Sequence, residues 1–335
     1  MFAVRAASPL LPPVAYDDFD IFALPANGPH YITTAGFDRV ILPVLARAKD
    51  AKWLCAGSAG ALRTMCIMRA LATGDDSCSE ILANKFCDMT YTPHSTPSDL
   101  ARMMDSMLSA ILPPSSATLH TMLEHATCHV AIFVCRLPLS LAFLPRPLLR
   151  AGVAAALAAG AQRRMCFHTG SERPLFGDAE YVRLTADNVR DVLRATTCIP
   201  SLTAPCTFVR GVGQGYFCDA GVTDYDLSFI PPPSMRALCV TDEPNLYGTF
   251  VRCVLGLPLS PLPPNVAVLH TVEDAFPLPL TRLTDWFEEV YIKRPAARQK
   301  VWKAAWHASI DSFPTTIPLP PPPPPPLPHR PPNAR

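Results

Sequence analysis

LCAGSAGALRT, residues 54–64, sets one serine among alanines and glycines, directly after an apolar approach and directly before a helical pattern. Trp53-Leu54-Cys55 is short and apolar, like the end of a buried strand, and Leu62, Met65, Cys66, Met68 and Arg69 recur at helical spacing. The stretch therefore reads as strand, sharp turn, helix. Ser58 at the turn has two readings. A serine before a helix caps it, its side-chain oxygen accepting from a free backbone N–H. A serine on a strained strand-to-helix turn is also an exposed nucleophile, and its neighbours must then be small so that strand and helix can close on each other. Ala56, Gly57, Ala59 and Gly60 meet that need, with Ala56 standing where the elbow pattern has glycine.

Outward from the turn, HYITTAGFDRVILPVLARAKDAKWLCAGSAG, residues 30–60, reads as strand, turn, helix, strand, elbow. That alternation predicts a mainly parallel sheet with helices on its faces. Residues 61–88 and 97–112 read as helical, the second opened by Pro97-Ser98-Asp99 and carrying Met103, Met104 and Met107 on an apolar face. RMCFHTG, RALCVTDEP and Val266 to His270 read as strands, and Leu280 to Ala308 as mainly helical, with Trp286, Trp302 and Trp306 as core residues or, as the second choice, interfacial anchors. The first 28 residues are Pro-rich and aperiodic and are expected to wrap the surface as an arm. Residues 313–335 end in a polyproline II segment, either a spacer or a ligand for the aromatic groove of an SH3- or WW-type partner. One catalytic domain is expected between them, over 29–312.

The 335 residues are 49% hydrophobic, enough for a sizeable core, and 29 basic against 28 acidic residues leave a net charge of +1. With no dense Lys/Arg run, a nucleic-acid partner is set aside. Twelve cysteines are scattered without one CxxC pair, unlike a zinc site or a disulfide framework, so reduced thiols and an intracellular setting are expected. The N-terminus makes a poor signal peptide, its apolar part broken by Pro9, Pro12 and Pro13. Residues 130–161 are the most apolar stretch, but arginines and prolines break them below the roughly 20 continuous apolar residues needed to span a bilayer. They read as a buried strand and a core helix from about Leu148 to Arg164, or as a surface lying against lipid with its arginines at the headgroups.

An elbow serine needs a base from a later strand end. In GQGYFCDAGVTDYDL, residues 213–227, Tyr216 to Cys218 reads as a strand with Asp219 at its end, and Ala220-Gly221 let the chain turn away. Asp before a small pair is also a plain turn former. His270 at a strand end offers a Ser-acid-His triad instead. His125 and His129 with Cys128 offer an i, i+4 pair on one helix face, with no third ligand marked, so no metal is assigned.

Read together, the two landmarks and the run Ala195-Thr196-Thr197-Cys198-Ile199-Pro200 between them resemble the patatin-like phospholipases. In that family a small-residue run ending in Ile-Pro or Phe-Pro precedes a strand and an Asp-Gly-Gly or Asp-Gly-Ala turn, matched here by Asp219-Ala220-Gly221, and AGSAGAL resembles its nucleophile elbow. The resemblance covers residues 29 to about 310. It implies a three-layer α/β fold and a Ser58-Asp219 dyad that hydrolyses lipid acyl esters at a membrane or droplet surface, with no cofactor and a cytoplasmic or peripherally membrane-associated location. The family's Gly-rich oxyanion loop would fall at Thr33 to Gly36, with Thr34, Ala35 and Gly36 as donors, although only Gly36 is glycine. That departure leaves open a catalytically impaired lipid-binding relative.

Overall fold

In a computed structural model, described over residues 2–6, 15–26, 28–89, 95–170, 176–223, 231–241, 262–271 and 295–317, the chain is α/β, with a mixed, mostly parallel central sheet. The strands are β1 (Phe2–Ala6), β2 (Ile21–Leu24), β3 (Lys52–Ala56), β4 (Cys128–Leu137), β5 (Arg163–His168), β6 (Glu180–Arg183), β7 (Cys206–Val209), β8 (Gly213–Cys218), β9 (Ala237–Thr241) and β10 (Val266–Thr271). The helices among the described residues are α1 (Gly36–Arg47), α2 (Ala59–Thr73), α3 (Ser77–Asp88), α4 (Pro97–Ile111), α5 (Ser116–Leu123), α6 (Arg146–Ala158), α7 (Val189–Thr196) and α8 (Pro295–Ser312).

The sheet runs β1-β10-β9-β2-β3-β4-β5-β6. Its centre, from β10 through β4, is parallel, while β1, β5 and the β7-β8 hairpin pair antiparallel. Period-two alternation buries both faces of the central strands. Phe22, Leu24, Leu54, Ala56, Val130, Ile132 and Val134 enter a large core with α1–α5, α7 and α8. Ile21, Ala23, Cys55, Ala131 and Phe133 enter a smaller one, closed among the described residues by connecting-segment side chains such as Phe176, Met235 and Leu262. A third cluster joins α6 and the 3-10 segment Leu139–Phe143 to Tyr216 and Cys218 of β8.

Several expectations are corrected. The N-terminal arm contributes β1 and, at the sheet centre, β2, so its Pro-rich composition hid two short strands. Residues 28–34, expected as a strand, form a 3-10 helix; Gly28 has φ +54 and Pro29 donates no N–H, which favours a turn over a ladder. The helix expected over 61–88 breaks at Gly74, whose φ of +72 ends α2 in a left-handed cap. The helix expected from Leu148 to Arg164 ends at Ala158, and Arg163–His168 instead pairs with β4. Met107 of α4 is buried in the core, as are Trp302 and Trp306, while Trp286 lies outside the described residues. Phe313 and Ile317, expected in the tail, pack into the core, and the polyproline segment beyond 317 lies outside the described residues. No described helix is long and apolar enough to cross a membrane.

Candidate functional site

β3 and β8 approach each other along one edge of β4. β5 occupies the other edge at residues 131–136, so β3, paired with 128–132, and β8, paired with 135–137, lie on the same side. β3 runs parallel to β4 and β8 antiparallel, so their C-terminal ends converge. Ser58 follows β3 and Asp219 follows β8, and the topology delivers both to the gap beside Phe133 and Val134.

Ser58 has φ +51 and ψ −127, the conformation of the first central residue of a type II′ turn, where glycine is the unstrained choice. Its side chain makes no cap hydrogen bond to α2, so the capping reading fails. The hydroxyl instead lies beside the Asp219 carboxylate, close enough to favour its charged form. The strained backbone is fixed from below: the Ser58 N–H donates to Thr196 Oγ1 at 2.9 Å, and that hydroxyl donates to the Phe133 carbonyl at 2.7 Å. The small neighbours are steric requirements. A Cβ on Gly60 would lie 2.0 Å from the Leu24 carbonyl oxygen, and one on Gly57 would lie 2.7 Å from the Ala220 Cβ. Ala56 and Ala59 are buried in the same joint.

Asp219 is 7% exposed, and its Oδ1 accepts from Gly221 N–H at 2.7 Å, opening the 3-10 turn Ala220–Val222. The same side chain therefore opens the turn and lies beside Ser58. Burial pushes its pKa up to about 6, against the nearby Ser58 hydroxyl and the Gly221 N–H, which lower it. The Asp219 N–H donates to the Cys198 carbonyl at 2.8 Å. The run from Ala195 to Pro200 thus holds both residues, Thr196 gripping the serine's backbone and Cys198 the aspartate's. Thr196 escaped the sequence reading as an individual residue because nothing in its spacing distinguishes it from Thr197.

Two of the three amides expected in an oxyanion hole are engaged elsewhere. The Ala35 N–H donates to the Ile32 carbonyl, and the Gly36 N–H donates to Ser309 Oγ at 3.0 Å. Gly36 is glycine because α8 crosses it, a Cβ there lying 2.2 Å from the Ser309 carbonyl oxygen. Thr34 is fully buried; its carbonyl and its Oγ1 both accept from Arg63, which also reaches Asp38 at 2.5 Å. This segment is a structural brace. The loop that does meet the elbow follows β2, where the Leu24 and Pro25 carbonyls face Gly60 and Gly57 N–H donates to Leu24.

His270 lies on β10, three strands from β3, or about 14 Å across the sheet, and its Nδ1 contacts the Thr271 carbonyl. The structure therefore does not bring it to Ser58. The helix expected to carry His125 and His129 ends at Leu123; Cys128 and His129 belong to β4, and His125 Nδ1 contacts Thr127. No three His, Cys, Asp or Glu side chains among the described residues are grouped to hold a metal ion. Two surface clefts, one beside Arg39, Ser79 and Trp306 and one beside His120, Arg183 and Asp187, are lined by neither Ser58 nor Asp219. No protein-family profile matches the chain, and no curated protein matches it significantly.

Proposed function

We propose that the chain is a patatin-like serine acyl hydrolase that cleaves fatty-acyl esters of membrane or droplet lipids through a Ser58-Asp219 dyad, on a three-layer α/β fold of that family. The observation that carries the reading is a serine held on strained backbone beside a buried carboxylate that has no cationic partner among the described residues. Ser58 Oγ attacks the ester carbonyl as its proton passes to Asp219, and the proton then goes to the departing alcohol as the ester C–O bond breaks, leaving an acyl-enzyme. Water adds to that ester, giving a proton to Asp219; collapse releases the fatty acid and returns the proton to Ser58. A base with a pKa of about 6 is ionised at neutral pH yet readily protonated in transit.

The oxyanion is assigned to the N-terminus of α2, where the Ala59 N–H follows the nucleophile and the first N–H groups have no partner within the helix. The helix dipole adds to this.

A second reading, a lipid-binding relative without turnover, is favoured by two observations: the Ala35 and Gly36 amides are engaged elsewhere, and Ser58 and Asp219 are only 8% and 7% exposed. Labelling by a fluorophosphonate probe, with and without lipid vesicles, separates the two. Modification mapped to Ser58 and lost in Ser58→Ala upholds the hydrolase; an unmodified protein under both conditions favours lipid binding without turnover.

A further inference from the structure

Among the described residues the large hydrophobic side chains left exposed are Phe143, Leu148 and Phe208, at 75%, 58% and 54%. They are not scattered. Phe143 ends the 3-10 segment, Leu148 lies in the first turn of α6, and Phe208 is on β7, which contacts the 3-10 segment. The 3-10 segment packs on α6 where a Cβ on Gly152 would meet Leu141 and Leu144, and the inner sides of α6, the segment and β8 share one cluster that includes Cys218, next to Asp219. The outward side of α6 is apolar as well, with Ala151, Ala154, Ala155 and Ala158 exposed.

The charge of this unit has one sign. From His125 to Ser171 the sequence carries Arg136, Arg146, Arg150, Arg163 and Arg164 and no Asp or Glu, and from Val192 to Cys218 it carries Arg194 and Arg210 and again no acid. Arg146 is exposed two residues before Leu148, and Arg150 reaches Ser201 Oγ at 3.0 Å. Some positive charge is answered locally, Arg136 by Glu180 at 3.9 Å and Arg194 by Asp105 at 2.6 Å and Asp191 at 3.9 Å. Exposed aromatic and aliphatic side chains on two runs of sequence that carry arginines and no acid match the interfacial zone of an anionic bilayer, where the apolar groups enter the acyl boundary and the guanidinium groups meet phosphates.

We propose that the face carrying Phe143, Leu148, Phe208 and Arg146 docks the protein on an anionic lipid bilayer. That the docked face also feeds the dyad rests on the hydrolase reading above; the docking itself does not. The test is flotation of the full chain with phosphatidylcholine vesicles with and without phosphatidylglycerol. The wild type is compared with the triple variant Phe143→Ser, Leu148→Ser, Phe208→Ser and with Arg146→Glu, and sedimentation and Ser58 labelling are read in parallel.

All four residues are exposed, so the variants fold as the wild type does. The wild type floats with the anionic vesicles, the triple variant loses at least tenfold of the bound fraction, and Arg146→Glu loses about fivefold at low salt, a difference that shrinks as salt is added. Equal flotation of wild type and triple variant overturns the proposal, as does equal binding to neutral and anionic vesicles. A triple variant that alters only the sedimenting mass overturns it in favour of a second copy of the chain on this face. The expected flotation with Ser58 unlabelled upholds the surface and removes the hydrolase; labelled Ser58 with flotation unchanged by every substitution removes the surface alone.

Discussion

Two carboxylates among the described residues, Asp38 and Asp219, are buried and both are pushed up to about 6 by desolvation, yet they sit in opposite kinds of site. Asp38 faces a cation: Arg63 Nε stands 2.5 Å away, 1% exposed, with Thr34 completing the guanidinium's partners and Ser79 3.5 Å from the other carboxylate oxygen. Asp219 faces a hydroxyl and a backbone amide, Ser58 and Gly221. A carboxylate locked to arginine ties α1 to the elbow helix α2, and protonating it would strand the cation. A carboxylate held by neutral donors exchanges its proton with the group it faces, which is what a general base must do.

Substituting each carboxylate by its amide breaks the comparison most sharply. On the hydrolase reading, Asp219→Asn lowers turnover about 10²- to 10⁴-fold, the usual range for loss of a general base. Gly221 keeps an acceptor, so the fold is retained, and removal of a buried charge raises its melting temperature. Asp38→Asn does the reverse: it leaves Arg63 buried beside a neutral partner, so the melting temperature falls while turnover per folded molecule stays within about tenfold. Ester hydrolysis and thermal melts on the pair decide the point, and equal activity loss in both would show that the carboxylates share one role.

Next in size is Arg63→Met, which leaves Asp38 without its cation. Breaking a buried ion pair from one side costs about 3–5 kcal/mol. Denaturant melts should show that loss, and the double variant Arg63→Met, Asp38→Leu should recover most of it. A loss below about 1 kcal/mol in the single variant would mean that the brace carries little.

Acid titration sharpens the contrast further. Asp219, with no cation to strand, is raised in the folded state, so between about pH 4 and 6 its native carboxyl holds a proton that the unfolded chain has lost. Its contribution to stability is present below about pH 4 and disappears as pH rises through about 6, by up to about 3 kcal/mol for a two-unit shift. Stability against pH should therefore be flatter in Asp219→Asn than in the wild type over that window. Turnover should climb through about pH 6 as Asp219 ionises, so the pH of best folding and the pH of best activity separate.

The elbow and the aspartate turn were legible in the sequence because their chemistry is local. A Cβ at Gly60 has no room, a strand must precede Ser58 and a helix must follow it, and each demand leaves a mark within a few residues. The brace was not legible. Thr34, Ala35 and Gly36 invite reading as an oxyanion loop because a small-residue stretch before a helix is the same whether it faces a substrate or another helix. What fixes their role is Arg63 on Thr34 and, 273 positions from Gly36, Ser309, and no local pattern announces a partner at that distance. β2 was missed for a related reason: a four-residue strand at the sheet centre, buried throughout, has no polar alternation to reveal it. The role of Thr196 likewise lies in contacts to Ser58 and Phe133 from distant strands.

The smallest expected effect tests the backbone itself. Ser58 occupies φ +51, ψ −127, where a side chain brings strain of order 1–3 kcal/mol that the Thr196 bond and the close-packed joint hold in place. Ser58→Gly relieves the strain and loses the hydroxyl; Ser58→Ala loses the hydroxyl and keeps the strain. Both abolish fluorophosphonate labelling, but the glycine variant should melt above the alanine variant by about 1 kcal/mol even though glycine ordinarily lowers stability through its greater freedom when unfolded. Adding Thr196→Val leaves the residue-58 N–H without its acceptor in either background, and should take away more stability from the alanine form, whose backbone needs holding, than from the glycine form, which adopts the turn unaided. An alanine variant as stable as the glycine one would mean that the elbow is relaxed, and the backbone would then give Ser58 no distinction over any other serine before a helix.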